Sequence, residues 1–150
     1  MALPCTRLQA IFLSRIKNGH PPIIYEDGKQ IRDFIYVEDV ARANMLALQK
    51  ATTTDVFNVA SGQIASIKDI AETLIDILES CVEPDITEQF RFGDNRHDFS
   101  DITKIKKAFG FNAKWKLKEG MQELVKWSES QSAIDKFEQA EAERRKFMGD

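Results

Sequence analysis

The sequence predicts an α/β fold in which short strands alternate with about five amphipathic helices. Two observations support this class. Residues 66–78 place apolar side chains at helical spacing behind Ser66 and Asp69, which form a capping-box pattern. Val56 to Ala60 is almost continuously apolar, which is typical of a strand that helices cover on both faces in a parallel sheet.

The first part of the chain predicts a helix followed by a strand. The helix carries an apolar stripe at Leu8, Ile11, Phe12 and Ile16. Asn18-Gly19 is typical of a left-handed cap at its C-terminal end. Pro21 and Pro22 then favour an extended backbone, so residues 23–25 are expected to form a short strand.

Residues 28–40 combine a glycine turn, a charged pair, an apolar run and a helix start. The run from Phe34 to Val37 is aromatic and β-branched, which favours a strand. Glu38 and Asp39 suit the positive N-terminal end of a helix, which we expect to continue to about residue 51.

Arg32 and Asp33 stand at the beginning of that predicted strand, where side chains can point into a crevice. Two interpretations are open at this point. Arg32 either contacts a ligand or forms a surface ion pair with Asp33, and this stretch alone favours neither.

The second half predicts a strand over residues 86–92, a short helix that Gly110 ends, and a further helix around residues 117–125. Ser100 or Asp101 is expected to cap the short helix. Residues 128–150 include ten charged side chains, so they predict a solvated helical tail on the surface.

Composition excludes several functional classes. The net charge of −3 provides no electrostatic footprint for nucleic acid. No apolar run approaches the roughly 18 residues of a membrane span, and the N-terminus lacks a signal-peptide pattern. Cys5 and Cys81 have no partners at metal-binding spacing, so we expect free thiols in the cytoplasm and no metal site.

Four segments occur in the order found in a known family. They are residues 28–40 (GKQIRDFIYVEDV), 57–62 (FNVASG), 91–97 (RFGDNRH) and 101–105 (DITKI). With them the chain resembles the C-terminal portion of an extended short-chain dehydrogenase/reductase of the NAD-dependent nucleotide-sugar epimerase/dehydratase group. The UDP-glucose 4-epimerase-like members are the most similar. The resemblance spans roughly residues 8–127, so we divide the chain into a nucleotide-sugar-binding part, residues 1–127, and the charged helical tail, residues 128–150.

The resemblance implies a site for the nucleotide diphosphate of a sugar substrate. By position, Arg32 and Arg91 would contact the diphosphate and Asp94 a ribose hydroxyl. The base would lie along the strand formed by Ile23, Ile24 and Tyr25. These roles suit the chemistry, because guanidinium groups match phosphate oxygens with paired hydrogen bonds and a carboxylate accepts from hydroxyls. Phe92 departs from the family's usual proline, and a structural role is expected for Arg96 and His97.

Catalysis in this family resides in a Rossmann-type N-terminal half, which binds NAD on a glycine-rich turn and carries a Tyr-x-x-x-Lys pair. The seven glycines of this chain stand too far apart for such a turn. Tyr25 and Lys29 have the pair's spacing, but Asp27-Gly28 predicts a turn between them rather than a helix. We therefore expect no catalytic residue and no cofactor in this chain, with NAD implied for a full-length relative.

Three functional hypotheses follow. The chain is a truncated epimerase or dehydratase that binds a nucleotide-diphosphate sugar. Alternatively, it is a stand-alone nucleotide-sugar-binding or regulatory module, or an assembly protein that pairs through its charged C-terminal helix. An exposed apolar strand at residues 56–60 would also predict self-association, because unpaired strand edges recruit other chains.

Overall fold

The structure is a computed structural model that describes residues 8–90 and 94–148. Within those ranges the chain forms six helices and five short strands, and the predicted α/β class is confirmed. The helices are α1 (Leu8–Lys17), α2 (Val37–Lys50), α3 (Ile67–Ile77), α4 (Thr103–Phe109), α5 (Leu117–Ser128) and α6 (Phe137–Met148). The strands are β1 (Ile23–Ile24), β2 (Ile31–Asp33), β3 (Ile64–Ser66), β4 (Asp85–Ile86) and β5 (His97–Asp98).

The strands form two small sheets. β1 and β4 make a parallel pair, with Ile24 opposite Ile86. β2 is the centre of a three-stranded sheet, antiparallel to β3 and parallel to β5. Arg32 therefore lies in the central strand, opposite Ala65 on one side and Asp98 on the other.

Two hydrophobic clusters form the core. The first joins α1, α3 and α5 to β1, and its buried residues are Phe12, Leu13, Ile16, Ile24, Ile67, Ile70, Ala71, Leu74, Met121 and Val125. The second joins α2 to α4 and their flanking loops through Ala43, Ala60, Ile102, Ile105, Phe109 and Phe111. Each cluster uses the apolar face of an amphipathic helix, α3 in the first and α2 in the second.

Several local predictions are confirmed by backbone geometry. Ser66 and Asp69 form a complete capping box at the start of α3. Gly19 and Gly110 follow α1 and α4 with φ of 76° and 71°, in the left-handed region that glycine adopts without a steric penalty. The cap predicted at Ser100 or Asp101 is wrong, because the N-cap residue of α4 is Ile102 and makes no side-chain cap bond; Asp101, one residue earlier, accepts from the backbone N–H of Thr103.

The strand predicted at Phe34–Val37 is wrong. The strand lies three residues earlier, and Val37 is already the first residue of α2. The apolar side chains of this run go to different places: Phe34 packs on the first cluster and Ile35 on the second. Tyr36 meets Trp115, with 4.3 Å between the ring centroids. These residues connect the two hydrophobic clusters, and their backbone pairs with no strand of the described residues.

The strand predicted at residues 56–60 is also absent, because no described strand pairs with this backbone. Phe57 and Val59 still pack against the second cluster, whereas Val56 is 80% exposed. The parallel-sheet edge expected here is therefore corrected to an unpaired segment. The strand predicted over residues 86–92 is limited to Asp85–Ile86 among the described residues, and residues 91 and 92 lie outside them.

The segments before and after residue 130 are attached to α1 and the residues that follow it by polar contacts. Arg15 reaches Asp135 at 3.2 Å, and both side chains are almost inaccessible to solvent. Nδ1 of His20 lies 2.9 Å from the same carboxylate. Lys17 donates to the carbonyl and the hydroxyl of Ser128 at the end of α5. The division of the chain at residue 128 stays a prediction.

None of the helices in the described part of the chain is long and apolar enough to cross a membrane.

Candidate nucleotide-sugar site

The turn between β1 and β2 is tightly packed around Gly28. Gly28 has a φ of 74°, and an added Cβ would lie 3.2 Å from the Cβ of Lys68 and 3.3 Å from Cγ2 of Ile24. The buried side chain of Gln30 donates to the carbonyl of Tyr25 at 2.8 Å, which closes the turn. Tyr25 and Lys29 therefore lie on a turn rather than on one face of a helix, as the sequence predicted.

The Arg32 side chain is directed toward the segment that precedes β5. Nη2 donates to the carbonyl of Asn95 at 2.6 Å, and Nη1 donates to the carbonyls of Ile31 and Arg96 at 2.8 Å and 3.3 Å. The side chain is only partly buried. Arg32 therefore contacts Asn95, the residue that directly follows Asp94, the predicted ribose contact.

Asp33 binds the loop after residue 60 instead of forming the surface ion pair with Arg32 that the sequence left open. Its carboxylate accepts from the backbone N–H of Ser61 at 2.8 Å, the Ser61 hydroxyl at 2.5 Å and the N–H of Gly62 at 3.0 Å. These bonds attach the loop after residue 60 to β2. Within the described residues, Arg32 and Asp33 form no ion pair.

The other predicted site residues fall into three groups. Ile23, Tyr25 and Asp94 are half-buried. Ile24 is 1% exposed, and its side chain lies in the first cluster, so a ligand contact by Ile24 would have to use backbone atoms. Arg91 lies outside the described residues.

Arg96 connects the segment before β5 to the β1–β2 turn. Its Nη1 lies 2.7 Å from Glu26 and 2.6 Å from Asp27, and its Nη2 lies 2.8 Å from the second oxygen of Asp27. The guanidinium and the backbone N–H of Lys29 hold the pKa of Asp27 well below its usual range. Asp27 was not predicted to have a role, because its only signal in the sequence is membership of a turn.

His97 lies in β5, where its Nδ1 is 3.3 Å from the backbone nitrogen of Ile31. This contact joins the imidazole to β2. Among the described residues, no group of three or more His, Cys, Asp and Glu side chains is arranged to hold a metal ion.

Comparisons with known proteins show which family the chain is similar to. The profile of the NAD dependent epimerase/dehydratase family matches residues 5–60. The dTDP-L-rhamnose 4-epimerase of Burkholderia thailandensis is 35% identical over 125 residues, which cover 81% of this chain and 34% of the relative. The chain thus spans about a third of the length of this curated relative.

Two solved structures share both fold and sequence with the chain. The UDP-glucose 4-epimerase of Thermotoga maritima, solved with UDP-glucose, aligns with a TM-score of 0.74 at 35% identity. The UDP-N-acetylglucosamine 4-epimerase of Methanobrevibacter ruminantium, solved with UDP-N-acetylmuramic acid, aligns with a TM-score of 0.73 at 38% identity. Each alignment covers 81% of this chain and 38% of the solved one. The chain belongs to the NAD-dependent epimerase/dehydratase family of extended short-chain dehydrogenase/reductases.

Proposed function

We propose that this chain is the part of a nucleotide-sugar epimerase or dehydratase that binds the nucleotide diphosphate of the sugar substrate. The observation that carries the proposal is the position of Arg32. Its guanidinium lies against the carbonyls of Asn95 and Arg96, immediately after Asp94 and four residues after Arg91. Arg32 and Asp94 therefore belong to one small region, and Arg91 precedes Asp94 by three residues in the sequence.

The chemistry of Arg32 supports this role. A guanidinium has five N–H donors, and the bonds to described residues use only Nη1 and Nη2. Nε remains available for a phosphate oxygen. Ile23 in β1 and Tyr25 just after that strand are both half-buried, and we place the base along them. Two relatives of similar fold were solved with UDP-sugars, which fits a diphosphate ligand.

We further propose that NAD binds outside this chain and that the chain lacks the catalytic Tyr and Lys. A dinucleotide pyrophosphate needs a glycine-rich turn that opens onto free N–H groups at a helix N-terminus. The junction of β2 with α2 is Phe34–Tyr36, which contains no glycine, and Glu38 and Asp39 fill the first turn. At the junction of β3 with α3, the capping box of Ser66 and Asp69 already satisfies the first N–H groups.

A thermal-shift panel tests the proposal. UDP-glucose, dTDP-glucose and UDP are expected to raise the melting temperature, because a ligand that binds only the folded state stabilises it by mass action. Uridine and glucose, which lack the diphosphate, are expected to leave it unchanged. ATP serves as a control for nonspecific polyphosphate binding.

The panel also separates the assembly protein from the two hypotheses that involve nucleotide-sugar binding. Absence of any shift would overturn the binding function and favour the assembly protein with a charged C-terminal helix. A shift without turnover fits both the truncated enzyme and the stand-alone module. An in-frame coding segment upstream, with a glycine-rich turn and a Tyr-x-x-x-Lys pair on a helix, would favour the first of these two.

Self-association is a second proposal for the isolated chain. Leu48 on α2 is 81% exposed and Val56 is 80% exposed, and large apolar groups in water favour contact with another surface. Static light scattering at rising concentration is expected to give an average mass above that of a monomer. Leu48→Glu is expected to lower this mass, whereas Thr54→Glu, which adds the same charge at an exposed polar position, is the control. A monomer at all concentrations would contradict the proposal.

A cytoplasmic location is also proposed. The exposed thiol of Cys81 is free, which fits a reducing compartment.

A further inference from the structure

Two segments that carry proposed ligand contacts are held together by one arginine. Tyr25 immediately precedes Glu26 and Asp27 in the β1–β2 turn, and Asp94 lies two residues before Arg96. Arg96 bonds to both acidic residues of the turn, about 70 residues away in sequence. The distance between the proposed base contact and the proposed ribose contact therefore depends on this ion-pair cluster.

We propose that Arg96, Asp27 and Glu26 form a latch that positions the segment from Asp94 to Arg96 for nucleotide binding. The inference rests on the proposed function and adds to it a set of positioning residues that need not touch the ligand. Removing the latch leaves Arg32 in β2, with its bonds to the carbonyls of Asn95 and Arg96, but releases the segment with Asp94 from its attachment to the β1–β2 turn.

The geometry of the latch distinguishes it from an ordinary surface ion pair. Both Nη atoms of Arg96 engage Asp27, at 2.6 Å and 2.8 Å, so the planar guanidinium fixes an orientation as well as a distance. Nη1 is shared with Glu26, at 2.7 Å. A lysine at position 96 would keep the charge but not this fork.

The acidic side of the latch is itself held rigidly. Glu26 has a φ of 54°, a left-handed backbone that is uncommon for a residue with a side chain. Its N–H donates to the carbonyl of Gln89, and its carbonyl accepts from the N–H of Glu88. The turn is thus tied to residues 88–89, just before Arg91, while Arg96 ties it to the chain just after Asp94. Both flanks of the proposed diphosphate segment are attached to one turn.

The contribution of the latch to global stability is expected to be small. The side chains of Arg96 and Asp27 are 41% and 45% exposed, and exposed ion pairs are screened by water. Ligand affinity and melting temperature should therefore respond differently to its removal. A purely structural pair would change the melting temperature and leave the affinity of the remaining folded protein intact.

Titration calorimetry of the whole chain with UDP-glucose tests the latch. Arg96→Ala is expected to weaken affinity by about tenfold, equivalent to about 1.4 kcal/mol, while the melting temperature stays nearly constant. Arg96→Lys is expected to recover only part of this loss. Asp27→Ala should weaken binding less than Arg96→Ala, because Glu26 still holds the guanidinium. Combining both substitutions should add nothing to the loss from Arg96→Ala alone, since additive effects are expected only for independent sites.

The matched control is the exposed pair of Lys104, on α4, and Asp55, in the loop after α2, whose charged atoms are 2.6 Å apart. Lys104→Ala removes the same charge and should leave affinity unchanged. Hydrogen exchange without ligand gives an independent readout. The amides of residues 94–98 should exchange faster in Arg96→Ala than in the unaltered chain. In Lys104→Ala their exchange rates should be unchanged.

The outcomes separate the two proposals. Binding by the unaltered chain with equal affinity in Arg96→Ala overturns the latch and leaves the proposed function intact. Failure of the unaltered chain to bind any nucleotide overturns the proposed function, and with it the purpose assigned to the latch. Unchanged exchange of residues 94–98 in Arg96→Ala overturns the claim that the latch orders this segment.

Discussion

Replacing Asp39 by alanine is expected to lower the free energy of unfolding by about 3 kcal/mol, because it leaves two backbone N–H groups and the half-buried Arg42 guanidinium without this acceptor. Asp39 is 1% exposed, in the first turn of α2. Its carboxylate accepts from Arg42 at 2.6 Å and from the backbone N–H groups of Lys114 and Trp115 at 2.9 Å and 3.0 Å. Arg42 also donates to the carbonyl of Asn112, so the substitution disturbs the whole path from α4 to α5.

Urea denaturation followed by circular dichroism measures this loss. Asp55→Ala is the matched control, because Asp55 also pairs with a cation but is exposed. It is expected to change the unfolding midpoint very little. Equal urea midpoints for Asp39→Ala and the unaltered chain would contradict the expectation that Asp39 stabilises the contact between α2 and the backbone before α5.

The Asp39 carboxylate is also expected to make the free energy of unfolding depend on pH. Burial by itself would raise the pKa of Asp39, but the hydrogen bonds from Arg42, Trp115 and Lys114 outweigh it and lower the pKa below 3.8. The pKa of Asp39 is lower in the folded state than in the unfolded state. The carboxylate therefore stabilises the fold fully at pH values above the unfolded-state pKa. This stabilisation is lost as the pH falls through the folded-state pKa. Unfolding curves measured below pH 4 should therefore show a loss that Asp39→Asn reduces.

Arg32→Ala is expected to weaken binding of a nucleotide-diphosphate sugar by about 1.5–3 kcal/mol, the range for hydrogen bonds to charged groups. This corresponds to roughly 10- to 150-fold in dissociation constant. The physical reason is the loss of a guanidinium that faces the proposed diphosphate segment. Arg91→Ala is expected to have an effect of similar size. Titration calorimetry with UDP-glucose provides the measurement.

Two variants make this result specific. Lys107→Ala removes one positive charge from an exposed position on α4 and is expected to leave affinity unchanged. Arg32→Lys keeps the charge but not the fork, so it should bind with intermediate affinity. If Arg32→Ala bound UDP-glucose as tightly as the unaltered chain, Arg32 would have a structural role only, through the carbonyls of Asn95 and Arg96.

The sequence predicts the helices well because each one has strong local signals. The capping box at Ser66 and the glycines that end α1 and α4 act within a few residues, so they need no knowledge of the rest of the fold. The strands are different. β3 and β5 are two or three residues long, and β5 consists of a histidine and an aspartate, so neither has a recognisable pattern.

The two wrong strands have a common physical cause. Most of the apolar residues in these two runs pack on the clusters, although their backbones do not pair with a described strand: Phe34, Ile35, Phe57, Val59 and Ala60. An apolar run reports burial, and burial alone does not separate a strand from an extended connection. Only the register of β2 with β3 and β5 decides which residues form the sheet, and register depends on distant parts of the chain.

The proposed site is predicted by the order of the four segments shared with the family, rather than by a local residue pattern. Arg32 could be assigned to a ligand only once Arg91 and Asp94 occurred downstream in the expected sequence. Asp27 could not be found this way, since its importance comes from Arg96, 69 residues later. Contacts between exposed charged residues have no periodicity, and only the folded chain reveals them.

The two hydrophobic clusters have a consequence for how the chain unfolds. Each cluster has its own helices, so each could lose its structure separately. One of the contacts between them lies where Asp39 on α2 binds the backbone before α5 and the Tyr36 ring packs at a tilt against Trp115. Gly120 on α5 keeps this place close-packed, since an added Cβ would lie 3.1 Å from the Tyr36 ring. Weakening this contact is therefore expected to reduce the cooperativity of unfolding.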